Sequence, residues 1–152
     1  MNTAKNILAA TDFSELGRGA VDHALELAQI LDAKLNVVSV LWTAGSAVPP
    51  AHNRELHELR EQMSELEAKL KPSGRLAQAV IEVGDPASTI LRVATRLGAD
   101  MIVMGTNNRQ GFSRLVVSST AEHVLRDAHI PVLVLKKAAL RAHAAASEPG
   151  AR

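Results

Sequence analysis

Two stretches far apart in the chain carry the residue types from which an anion site is made. Ala10-Thr11-Asp12 closes one apolar run, and Met104-Gly105-Thr106 closes another, from which a polar segment leads to Ser118-Ser119-Thr120. A glycine where a strand leaves its sheet lets a phosphate approach the backbone N–H groups, because no Cβ stands in the way. Three hydroxyl residues at a helix start add donors to the uncapped N–H groups and the positive end of the helix dipole. Arg109 and Arg114, in the segment between, can close over negative charge. Asp12 brings the complementary chemistry, a carboxylate that accepts from an exocyclic amine or a sugar hydroxyl. Singly, each residue has a plainer reading, since Asp12, Ser118, Ser119 and Thr120 are all ordinary helix caps. Their joint placement is what makes a site.

Other chemistries find little support. With no cysteine, thiol nucleophiles, disulfides and cysteine zinc sites are excluded. His52 and His57 are five residues apart, not the four that put two metal ligands on one helical face. His23 and His123 lie in helical segments, where a packed or solvated ring is the simpler role. There is no G-x-S-x-G elbow, no G-x-x-x-x-G-K-[ST] phosphate loop and no His-x-Gly-His signature of nucleotidyl transferases. The carboxylates of 55–67 occupy the polar face of a helix and read as solvated. Catalysis is therefore not expected, beyond slow hydrolysis.

Seventeen basic and sixteen acidic residues leave a net charge of +1, and Phe and Trp together number three, with no tyrosine. That balance offers neither the basic patch nor the stacking aromatics of a nucleic-acid surface, and no anchor for anionic lipid. No run approaches the ~18 apolar residues of a membrane span, nor does the N-terminus resemble a secretory signal, so a cytoplasmic location is expected.

The elements that must position these residues are legible from apolar patterning. Runs at 6–10, 35–41, 76–83, 101–104 and 131–135 are short, rich in β-branched residues and apolar on both faces, as in a parallel sheet covered on each side. Helical periodicity fills 14–30, 54–70 and 87–97, and a last helix contains 122–126. Asp85-Pro86 starts the third helix and Gly98 stops it. Strands alternating with helices predict an α/β fold, a five-stranded parallel sheet flanked by helices on both faces. In such sheets ligands lie beyond the C-terminal strand ends, where neighbouring connections diverge. Thirteen residues separate Gly105 from Ser119, against two to six for an ordinary strand-to-helix link, which marks that loop as functional. From Ala138 onward the chain is alanine-rich and reads as a tail, 138–152, to a single domain, 1–137.

The run Ile7-Leu-Ala-Ala-Thr-Asp12-Phe-Ser-Glu15, the Gly105-to-Ser119 loop, and Ala121-Glu-His-Val-Leu-Arg126 before Ile130-Pro-Val-Leu-Val134 resemble the universal stress proteins over about residues 4–137. The resemblance implies a Rossmann-like fold of the adenine nucleotide alpha hydrolase type, dimers joined through the last strand and, in one subgroup, bound ATP. That subgroup carries Gly-x2-Gly-x9-Gly followed by Ser or Thr; here Gly105 and Ser119 keep the spacing, with Asn108 and Ser118 at the second and third glycines. By resemblance the base and ribose meet Asp12, Val40 and Met104, and the phosphates meet Gly105, Asn108, Ser118 and Ser119. Ala10, Thr11, Thr106 and Thr120 complete the expected site. Two functional readings stand: a homodimer binding ATP, ADP or AMP, with magnesium on the phosphates of ATP, or a dimeric interaction protein without nucleotide. Either pairs the run Pro131-Val-Leu-Val-Leu135 across a two-fold axis, hiding an otherwise exposed sheet edge.

Overall fold

In a computed structural model that describes residues 4–45, 47–106, 118–140 and 146, the expected runs pair into one parallel sheet. Its strands are β1 (Asn6–Ala10), β2 (Lys34–Leu41), β3 (Leu76–Val83), β4 (Met101–Gly105) and β5 (Val132–Leu135), in the spatial order β3-β2-β1-β4-β5. The helices between them are α1 (Glu15–Leu31), α2 (Asn53–Leu70), α3 (Pro86–Leu97) and α4 (Ser119–Asp127). β5 begins one residue later than the sequence predicts. Pro131 has no N–H to donate, and only its carbonyl joins the ladder, accepting from the Ile102 N–H at 2.9 Å.

The chain steps outward from β1 through β2 to β3, then returns to build β4 and β5 on the other side of β1. Connections leaving β1 and β4 therefore diverge. α1 and α2 cover one face, over Ile7, Ala9, Leu35, Val37 and Val103. α3 and α4 cover the other, over Leu8, Val38, Ile102 and Met104. On α1, Ala20, Ala24 and Ala28 form one row of fully buried methyl groups, so the helix settles close to the strands beneath it. Residues 137–140 are helical, and Leu140 lies against Gly19 of α1.

A polar network fastens the N-terminal edge of the sheet. The Asp100 carboxylate accepts the N–H groups of Lys5 and Asn6, each at 2.9 Å. The Asn6 amide donates to the carbonyls of Leu97 and Gly98 at 2.6 and 3.2 Å, and accepts from the buried Asn36. Three strands and the end of α3 are thus tied at one place.

Helix ends follow their sequence signals. Gly98 takes the left-handed conformation (φ +63°) that closes α3. At the other end Asp85 caps, accepting the Ser88 N–H at 3.0 Å and the Ser88 hydroxyl at 2.9 Å. The Ser88 backbone N–H, then its hydroxyl, hold the Asp85 carboxyl below its usual 3.8. Asp85→Ala is expected to cost about 1 kcal/mol. Because the folded-state pKa is lowered, that contribution is complete above about pH 4 and disappears as pH falls through the lowered value. Thermal melts of wild type and Asp85→Ala should therefore differ by a constant amount at neutral pH and converge in acid.

Candidate functional site

β1 and β4 lie side by side with Ala10 opposite Met104, so their C-terminal exits open into one cleft at the switch in strand order. Its volume is about 480 Å³, within the range of small-molecule sites. Of the residues expected from sequence, Ala10, Thr11, Asp12, Val40, Met104, Gly105, Ser118, Ser119 and Thr120 line it. Asn108, with Arg109 and Arg114, lies outside the described residues. Thr106 is not part of the lining. Its hydroxyl accepts the Ser118 N–H at 3.1 Å, and its own N–H donates to the Leu135 carbonyl at 3.0 Å, so it joins the two ends of the long loop to β5.

The turn after β1 is built more tightly than the sequence suggests. Ser14, not Asp12, caps α1, its hydroxyl accepting the Gly17 N–H at 3.1 Å. Asp12 braces the cap: its Oδ1 accepts the Ser14 N–H at 3.0 Å and also the Ser14 hydroxyl. Asp12 Oδ2 makes no hydrogen bond among the described residues, and the residue is exposed on the cleft wall. Between them Phe13 sits buried in the left-handed region (φ +59°), unusual for an aromatic residue. Three contacts hold it there. Its N–H donates to the Thr11 hydroxyl at 3.0 Å, its carbonyl accepts from Arg18 Nε at 3.1 Å, and the Arg18 guanidinium lies 5.4 Å from its ring centre.

Gly105 also has a packing role. A Cβ there would meet Leu16 of α1 at 3.0 Å, at both its Cβ and its carbonyl oxygen. The missing side chain thus admits the first turn of α1 against β4. At the far side of the cleft Ser118 caps α4, its hydroxyl accepting the Ala121 N–H at 3.3 Å. The side chains of Ser119 and Thr120, in the first turn of that helix, complete this wall.

Several lining residues lie beyond the sequence expectation. Ser14, Leu16 and Gly17 come from the start of α1, and Pro86 and Ile90 from α3. Glu55 and Leu59 reach the cleft because the first turns of α2 overhang the end of the sheet. Glu55 stays exposed, as its place on the polar face of α2 predicts, and lines the cleft as well. Ser39 and Trp42 close the same side from β2 and its exit. The lining therefore combines two carboxylates, Asp12 and Glu55, an aromatic ring and a leucine with the hydroxyl residues and N-terminus of α4.

The sequence model of the Universal stress protein family matches residues 3–136. Universal stress protein MJ0531 of Methanocaldococcus jannaschii is 34% identical over 144 residues, spanning 90% of this chain and 84% of its own length. The solved structure of hypothetical protein MJ0577, from the same archaeon, superposes with a TM-score of 0.78 at 26% identity, covering 90% of this chain and 98% of that one. A universal stress protein solved in complex with cAMP shares the fold at 20% identity, with a TM-score of 0.68 over 89% of this chain and 98% of its own.

Proposed function

Because the chain belongs to the universal stress protein family, we propose that its cleft takes up an adenine nucleotide, ATP, ADP or AMP, as a regulatory ligand in the stress response. The protein acts as a cytoplasmic homodimer and turns the nucleotide over slowly if at all. What carries this reading is the shared cleft: the open oxygen of Asp12 and the hydroxyls of Ser119 and Thr120 line one volume of about 480 Å³. Asp12 suits an amine or a ribose hydroxyl, and the start of α4 suits phosphate. Magnesium, where it accompanies ATP, rides on the phosphates. The cAMP complex of a protein with this fold lends support from outside the chain.

Calorimetry with ATP on protein unfolded and refolded free of ligand tests the reading. One site per chain is expected, and ATP at about 100 times its Kd should add ~2.7 kcal/mol, raising the melting temperature by roughly 5–10 °C. Asp12→Ala and Ser119→Ala should both weaken binding. No heat and no thermal shift at millimolar nucleotide would defeat it.

A second reading, a dimeric interaction protein with no nucleotide, draws on Ser118. Where the ATP-binding pattern has glycine, this chain has a serine whose hydroxyl is engaged in capping α4. Stoichiometric adenine nucleotide released on denaturing the purified protein would exclude that alternative.

A further inference from the structure

Trp42 is the chain's sole tryptophan, one of three aromatic residues, and it is 59% exposed. An indole is among the most hydrophobic surfaces a protein owns, and leaving it mostly in water calls for a reason. It follows β2 directly and lines the cleft, and it also borders a neighbouring pocket with Ser88, Thr89 and Arg92 of α3.

The same lining holds the start of α4, whose N-terminus attracts phosphate. A ligand with a flat ring at one end and phosphates at the other would find an aromatic wall and an anion-attracting helix start in one cleft.

We propose that Trp42 is the wall against which the nucleotide's ring stacks. The proposal rests on the nucleotide reading given above, and its test separates the two. Wild-type protein is titrated with ATP while heat and tryptophan fluorescence are followed together; with one tryptophan, every change reports Trp42. Stacking predicts quenching that saturates at the calorimetric Kd. Trp42→Ala should weaken ATP binding by about 5- to 100-fold, and Trp42→Phe should recover most of the loss. Ribose 5-phosphate, which has the anion without the ring, should bind wild type and Trp42→Ala alike. ATP heat with unmoved fluorescence and undiminished affinity in Trp42→Ala overturns the stacking wall and leaves nucleotide binding intact. No ATP heat in wild type removes both.

Discussion

Gly17→Ala is expected to destabilise the protein by about 1–3 kcal/mol and to weaken nucleotide binding at least ten-fold. The sign is the informative part. In a helix, alanine is ordinarily better than glycine by roughly 1 kcal/mol, so propensity alone predicts a more stable protein. Here a Cβ would stand 2.5 Å from Asp12 Oδ1, 2.7 Å from the Thr11 hydroxyl and 2.9 Å from the Asp12 backbone nitrogen. The two side-chain oxygens can turn aside; the backbone nitrogen cannot. It belongs to a turn already fixed by Phe13 in the left-handed region and by the Ser14 cap. Relief has to come from moving the turn, and with it the carboxylate that faces the cleft. Thermal melts together with ATP calorimetry check both halves, and a variant that melts higher than wild type would show that the turn yields.

Leu133→Asp is expected to dissociate the homodimer proposed above, weakening association on the order of 100-fold or more, with little change in the protomer's own melt. β5 ends the strand order, so its outer edge is unpaired within the chain. Leu133 is 38% exposed on it, and Leu125 of α4 is 46% exposed. Pairing two such edges about a two-fold axis covers both. In that arrangement a carboxylate at position 133 is buried unpaired, which costs several kcal/mol. Val134 is the poorer probe, because it packs against the core beneath α3 and α4 and a charge there would injure the protomer itself. Light scattering at micromolar concentration reads the outcome. A wild-type mass of one chain would contradict the dimer, and an unchanged dimer mass in Leu133→Asp would place the contact elsewhere.

The fold was legible in the sequence because its signals are local. β-branched runs such as 35–41, the Asp85-Pro86 start of α3 and the stop at Gly98 each act within a turn of the chain. The strand exits that make the cleft followed from a rule of parallel sheets, and Asp12, Val40, Met104 and Ser119 all line that cleft. What escaped was set by packing between distant elements. Glu55 reads as one carboxylate among many on a polar helix, and only the overhang of α2 brings it to the cleft. Ser39 sits in an apolar run with nothing nearby in sequence to say that its hydroxyl lacks a partner. The packing role of Gly105 is equally remote in sequence, since a side chain there would meet Leu16, eighty-nine residues earlier.

Parallel strands have no hairpins to hold them in step, and here Asn6, Asn36 and Asp100 do that work at the end of the sheet remote from the cleft. The keel and the rim are thus separate parts of the molecule. Substitutions among Trp42, Glu55 or Thr120 alter what the rim accepts without unthreading the strands below it. Descendants of such a chain can trade one cargo for another, or give up cargo altogether, while inheriting the same scaffold.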